Sequence, residues 1–174
     1  MTNHTSKMTI EYMLFVHENW HFYLAATKSS LCFVGTNGSD FEELSQWVHK
    51  HYFGYPLVDN PAALSLYAEE FHAYFERKST SFTFHATING TPFQKKVWKQ
   101  LQQIPYGETR TYKEIAHEIG HPNAVRAVGT AIGKNPLLIV VPCHRVIRTD
   151  GNLSGYRGGL SMKTHLLELE KNFD

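Results

Sequence analysis

Two short stretches in the second half of the chain constrain its fold more than any other feature. Thr91-Pro92-Phe93-Gln94 and Thr111-Tyr112-Lys113-Glu114 each set a threonine three positions ahead of a glutamine or glutamate. In that arrangement the hydroxyl and the longer side chain satisfy each other's backbone N–H groups at a helix start. Pro92 also presets the backbone angle of the first helical position, where no donor is needed. Val97, Trp98, Leu101 and Ile104 then share one helical face until Pro105-Tyr106-Gly107 ends the run. The second helix carries Ile115, Ala116 and Ile119 and stops at Gly120; a third runs from about Asn123 to Ile132 and stops at Gly133. Two short helices joined by a tight glycine-containing turn predict a helix-turn-helix.

The third of these helices is slim. Ala124, Val125, Ala127, Val128, Gly129, Thr130 and Ala131 leave Arg126 as its one long side chain. A helix that reads base edges in the major groove displays several long polar side chains. A thin helix with a single arginine suits the narrower minor groove; a buried small-residue helix with one surface arginine is the plainer alternative. Charge is divided accordingly. Residues 1–86 carry five Lys/Arg against nine Asp/Glu, a net of −4, and residues 87–174 carry twelve against seven, a net of +5. Phosphates are an expected partner for the second half only.

The first half reads as strands followed by helices. Met8–Val16, His21–Thr27 and Ser30–Gly35 are short, aromatic and β-branched, with Lys28-Ser29 as a tight hairpin connection. Asp40 with Glu43 is a further helix-start pair, placing Phe41, Leu44, Trp47 and Val48 on one face. After Asn60-Pro61, Leu64, Tyr67, Phe71, Tyr74 and Phe75 mark a second amphipathic helix whose aromatic stripe reads as core. Ser79–Gly90 is polar and glycine-bearing, a linker between an N-terminal domain, 1–86, and a C-terminal domain, 87–174. Leu137–Val141 is expected as a strand closed by Pro142, and Leu160–Leu169 as the last helix.

With 42% hydrophobic and 19% charged residues, the chain belongs with folded, soluble proteins rather than disordered ones. No apolar run approaches the roughly 20 residues of a membrane helix, and the polar stretch Met1–Ile10 lacks a signal peptide's apolar core. A cytoplasmic location is expected, with no membrane partner. The two cysteines, Cys32 and Cys143, are expected as reduced thiols, since a lone bridge in an unsecreted chain is improbable. His49 and His51 lack accompanying ligand spacing, so no metal site is expected.

The chemistry concentrates in Ile139-Val140-Val141-Pro142-Cys143-His144-Arg145-Val146. An apolar run ends in a proline that withholds a donor, and a thiol follows at the turn. A cysteine is commonly a small buried residue. Here His144 and Arg145 flank it, and such neighbours can lower a thiol's pKa and raise its thiolate fraction. In an extended segment adjacent side chains oppose each other, so a turn or a bridging water must connect Cys143 to His144. A third, acceptor-only group would orient the imidazole, and composition does not choose it.

From about Gly90 to Glu170 the chain resembles the O6-alkylguanine-DNA alkyltransferases, also called methylated-DNA–protein-cysteine methyltransferases. The resemblance runs through Thr91-Pro92-Phe93-Gln94, Ile104-Pro105-Tyr106-Gly107, Thr111-Tyr112, Arg126-Ala127-Val128-Gly129, Lys134-Asn135-Pro136, Pro142-Cys143-His144-Arg145-Val146 and Gly155-Tyr156-Arg157-Gly158-Gly159-Leu160 with Lys163. It implies an α+β fold: a small N-terminal α/β domain, ribonuclease H-like, followed by a helix-turn-helix or winged-helix-like alkyltransferase domain. It implies that Cys143 accepts the alkyl group, that His144 takes the thiol proton through a water, and that Glu170 orients His144, with Glu168 close by in sequence. Tyr112 would assist the departing guanine at N3, and Asn135 would fix the turn at the active site. Pro142, Val146, Tyr156, Arg157 and Gly158 would wall the pocket. Arg126, Ala127, Gly129, Thr111 and Tyr112 would face DNA, with Arg126 filling the gap left by the rotated-out nucleotide. Arg145 is read as structural. The partner implied is double-stranded DNA with alkylated bases, met through the minor groove by a monomer without cofactor.

The first 86 residues resemble the family only in outline. They lack the cysteines by which some relatives hold a zinc or accept a phosphate methyl, and Cys32 has no partner set. Arg157 stands where relatives often have a small residue; it would either narrow the pocket or reach a phosphate. Three competing readings are a lesion-binding relative without transfer, a winged-helix regulator and a Cys-His hydrolase. The first replaces the acceptor cysteine, the second needs no Pro-Cys-His-Arg, and the third needs an oxyanion hole and a separated histidine.

Overall fold

A computed structural model describes residues 8–171. The first seven residues of the polar N-terminal stretch therefore lie outside the described part. Ile10–His17 (β1), Trp20–Ala26 (β2) and Leu31–Val34 (β3) form an antiparallel meander. Leu57–Asp59 (β4) adds to β1 in parallel, giving the sheet order β3-β2-β1-β4. The sequence does not predict this parallel strand. Three residues, two of them exposed, carry too little alternation to announce one.

Both faces of this sheet are covered because side chains alternate along each strand. Phe41–His51 (α1) packs Leu44 and Val48 against Ile10, Ala25, Cys32 and Phe33. Ser65–Phe75 (α2) packs Phe71 and Phe75 on the other face against Phe15 and Phe22. Asp40 caps α1, accepting from the Glu42 backbone. Glu43, expected to close a reciprocal box with Asp40, does not. Its carboxylate instead accepts from the Thr36 backbone and hydroxyl and from Arg157.

The second half is built of Pro92–Leu101 (α3), Arg110–Thr111 (β5), Tyr112–Glu118 (α4), Val125–Gly133 (α5), Val146–Ile147 (β6) and Gly159–Lys171 (α6). Both threonine boxes form in full, Thr91 with Gln94 and Thr111 with Glu114. The Trp98 indole N–H donates to the Ala131 carbonyl at 2.9 Å and fixes α3 against α5. Strands β5 and β6 are a two-residue parallel pair that brings the segment after Cys143 beside the start of α4.

One cluster of buried side chains runs from Phe15, Phe22 and Phe71 through Val97, Trp98 and Ile115 to Val128, Cys143 and Leu166. The segment 79–90 lies along it. Residues 85–87 pair with the Leu31 backbone beside β3, and Phe82 and Phe84 pack on Phe71.

The expected strand Leu137–Val141 is not one. Leu137 makes a single bridge to Val34, and the chain then turns twice. The Val140 N–H bonds the Leu138 carbonyl around Ile139, whose φ is +73°. The Cys143 N–H bonds the Val141 carbonyl around Pro142, at φ −80° and ψ 59°. These are two three-residue turns of opposite hand, the first of the rare and strained kind. A β-branched residue at positive φ costs on the order of 1–3 kcal/mol. The apolar run imitates a strand because its side chains are buried here without sheet pairing.

Candidate active site

Asn135, fully buried at the end of α5, organises this double turn. Its side-chain oxygen accepts from the Leu137 N–H at 2.9 Å. Its amide donates to the Val141 carbonyl at 2.9 Å and to Cys143 Sγ at 3.1 Å. Pro142, unable to donate, occupies the centre of the second turn, and Cys143–Arg145 form one 3-10 turn. The thiol therefore leaves the loop at a bend, which removes the opposed-face geometry of an extended segment.

Cys143 is 1% exposed, and its surroundings are polar as well as apolar. Burial pushes the thiol up from its ordinary value, against the Asn135 hydrogen bond and the Arg157 and Lys163 charges, which pull it down. The charges acting on the resting thiol come from Arg157 and Lys163 rather than from its sequence neighbours His144 and Arg145. His144 is fully buried, and desolvation lowers its pKa although Glu170 favours the charged ring. The resting pair is a neutral thiol and a neutral imidazole.

The imidazole's tautomer follows from its partner. Nε2 lies 2.7 Å from Glu170 Oε1. Burial raises the Glu170 pKa, but hydrogen bonds from His144 and Arg145 outweigh it and hold the carboxyl well below the usual carboxylate range. An ionised carboxylate only accepts, so Nε2 carries the proton and Nδ1 presents a lone pair. Nδ1 is buried without a hydrogen-bond partner among the described residues. The ring is therefore arranged as a base. Glu168, the other carboxylate weighed for this place, is exposed.

Arg145 packs beneath. It donates through Nε and Nη2 to Glu170 and through Nη1 to the Ile104 carbonyl, and its guanidinium lies 5.6 Å from the Tyr106 ring centroid. Tyr74, from α2, donates to Glu170 Oε1 at 2.7 Å. The aromatic stripe of α2 correctly marks Tyr74 as core, yet nothing in that stripe points to this bond. Lys163, on α6, is likewise a residue without an assigned role in the sequence reading. It is 1% exposed, desolvation lowers its pKa to about 8, and it donates to the Val146 and Ser154 carbonyls.

The loop 151–158 brings Tyr156 near the thiol. Tyr156 is buried, with its phenol pushed well above its usual range by burial and by the Cys143 thiol. At Gly158 a Cβ would stand 2.5 Å from the Met162 sulfur and 2.6 Å from the Tyr156 ring, so no side chain fits. Val146 is buried where β6 meets β5. Arg157 makes contacts the sequence does not foretell. Its Nε donates to the Asn135 carbonyl at 2.8 Å, Nη1 to Glu43 at 2.8 Å, and Nη2 to the Val34 carbonyl. The side chain is thus engaged by protein groups on three sides.

The Ser154 hydroxyl donates to the Tyr112 phenol oxygen at 2.9 Å. Tyr112, Lys113, Val125, Arg148, Asp150 and Ser154 line an open cleft of about 460 Å³. On α5, Val128, Ala131 and Ile132 are buried while Arg126, Ala127 and Thr130 face out. Gly129 lies against the Tyr112 ring, about 3.8 Å from where a Cβ would stand. The Thr111 hydroxyl is held by its own capping box. His49 and His51 sit on exposed turns of α1, and among the described residues no group of three or more His, Cys, Asp or Glu could hold a metal.

Comparison with known proteins agrees with this geometry. Residues 92–172 match the family described as 6-O-methylguanine DNA methyltransferase, DNA binding domain. Over 167 residues the chain is 49% identical to an inducible methylated-DNA–protein-cysteine methyltransferase of Bacillus subtilis (strain 168), covering 96% of this chain and 93% of the relative. The chain belongs to the methylated-DNA–protein-cysteine methyltransferase family. A methyltransferase of Methanosarcina barkeri is 53% identical over 115 residues, 66% of this chain and 73% of that one. Crystal structures of Mycobacterium tuberculosis OGT superpose closely on this methyltransferase fold. A single-residue variant gives a TM-score of 0.83 at 40% identity over 95% of each chain, and a complex with DNA gives 0.81 at 40% identity over 94% of each.

Proposed function

We propose that this chain repairs DNA by direct reversal, moving an alkyl group from O6 of guanine onto Cys143 in a single, stoichiometric event. The observation that carries this reading is the Cys143 sulfur held by Asn135 beside a buried imidazole whose free nitrogen is a lone pair. With thiol and imidazole both neutral at rest, His144 Nδ1 removes the thiol proton through a water as the reaction begins. The thiolate attacks the alkyl carbon; the S–C bond forms as the C–O6 bond breaks, and the electron pair leaves with guanine. Tyr112 relieves the charge developing on the base, a form of electrostatic stabilisation. A thioether resists water, so no turnover follows.

The partner is DNA. We read the finer arrangement as minor-groove binding by α5, with Ala127, Gly129 and Thr130 permitting close approach and Arg126 entering the stack as the damaged nucleotide rotates out. The β3-β2-β1-β4 order with a parallel β4 supports a ribonuclease H-like reading of residues 1–86, and α4-turn-α5 supports a winged-helix-like reading of residues 87–174. The protein is proposed to act as a cytoplasmic monomer; among the described residues no helix is long and apolar enough to cross a membrane.

Duplex DNA carrying one labelled O6-methylguanine tests the reading. Label is expected on protein, at no more than one equivalent and on the Cys143 peptide. Tight lesion binding with the label left on DNA would instead favour a lesion-binding protein without transfer.

A further inference from the structure

We infer that Tyr74, contributed by α2 of the N-terminal sheet unit, is a positioning residue for alkyl transfer, its phenol setting the basicity and orientation of the His144–Glu170 pair. Tyr74 OH and His144 Nε2 each lie 2.7 Å from the same atom, Glu170 Oε1. Arg145 Nη2 reaches that oxygen too, at 2.8 Å, while Arg145 Nε and the Gly107 N–H take Oε2. A carboxylate has about four lone-pair sites, and five donors converge on them here, which holds its orientation.

Shape alone does not explain a tyrosine here. The ring packs against Phe75, Phe82 and Tyr106, which a phenylalanine would do as well. The hydroxyl is what differs, and its hydrogen bond goes to Glu170. Burial first, then the Glu170 charge, drive the phenol well above its usual range, so it stays a donor. The other charged or titratable groups facing the pair are Arg145, Tyr106 and Tyr156 around Glu170, with Lys163 near His144.

A donor on Oε1 draws negative charge away from the bond to His144. Without it, Glu170 favours the imidazolium more strongly, and His144 loses its lone pair at higher pH than before. This inference rests on the relay proposed above, and the experiment separates the two. Single-turnover transfer from duplex O6-methylguanine is followed from about pH 4.5 to 8, a range reaching well below the ordinary imidazole value because burial lowers that of His144, in wild type, Tyr74→Phe and Glu170→Gln. Tyr74→Phe is expected to move the acidic limb up by about half a pH unit to one unit, with lesion affinity unchanged. Fluorotyrosine at position 74, a stronger donor, is expected to move it down. A uniform loss of rate at every pH, or an unmoved limb, overturns the role of Tyr74. If Glu170→Gln, or His144→Gln should the former not fold, also keeps the wild-type profile, the relay itself fails.

Discussion

Arg157 and Glu43 meet at 2.8 Å across 114 positions of sequence, joining the loop beside the thiol to the start of α1. The same guanidinium holds the Asn135 carbonyl, and Asn135 holds the sulfur. Both groups keep a fifth to a quarter of their side-chain surface, so the pair is partly screened. Arg157→Ala and Glu43→Gln are each expected to lower unfolding stability by about 2 kcal/mol. The double variant should lose less than the sum, by about 1 kcal/mol. Urea unfolding measures this; simple additivity would show that the two do not act as a pair.

Replacing Cys143 with Ala removes the acceptor while leaving the outer face of α5 untouched. Transfer is expected to vanish and lesion affinity to stay within about twofold, a change worth less than about 0.5 kcal/mol. Gel-shift titration beside mass spectrometry of the reacted peptide checks both. Loss of both activities would assign the thiol to packing.

Arg126→Ala is expected to slow repair in duplex DNA by about tenfold or more, equivalent to roughly 1.4 kcal/mol. Reaction with a free O6-alkylguanine base should be unaffected, since no stack has to be opened. Equal losses on both substrates would remove Arg126 from the flipping step. Duplex affinity should also fall as salt rises, because Lys and Arg release counterions from phosphate.

Glu170 gives stability a defined pH dependence. Its folded carboxyl is held well below the ordinary range, so its contribution is present above the unfolded value, about pH 4.3, and is lost as pH falls toward the folded one. Glu170→Gln should melt lower at neutral pH, by about 3 kcal/mol, because Arg145 keeps its burial and loses its counter-charge. Below about pH 4 the two proteins should converge. Parallel melting curves from pH 7 to 3 would contradict this assignment.

Much of this was open to reading in one sequence because local rules govern it. Thr91 with Gln94 and Thr111 with Glu114 act within one helical turn, and both boxes form as their spacing requires. Pro142-Cys143-His144-Arg145 announces its chemistry through residue type. The contacts that complete the site are of another kind. Tyr74 to Glu170 spans 96 positions and Arg157 to Glu43 spans 114, and no periodicity encodes such meetings. Leu137–Val141 misleads for a related reason: burial supplies the same apolar run whether the backbone pairs or coils. There the Asn135 side chain, rather than a neighbouring strand, takes the Leu137 N–H and the Val141 carbonyl.

The closeness of packing around the sulfur also bears on what happens before and after the reaction. A molecule consumed by its first encounter must survive a long wait with its reagent intact. At 1% exposure, and protonated at rest, Cys143 is shielded from dissolved oxidants and stray electrophiles in a way an open thiolate is not. An added carbon on a residue this buried strains its surroundings by about 1–3 kcal/mol. The burial that guards the thiol beforehand is thus the same feature that makes its alkylated form the less comfortable fit.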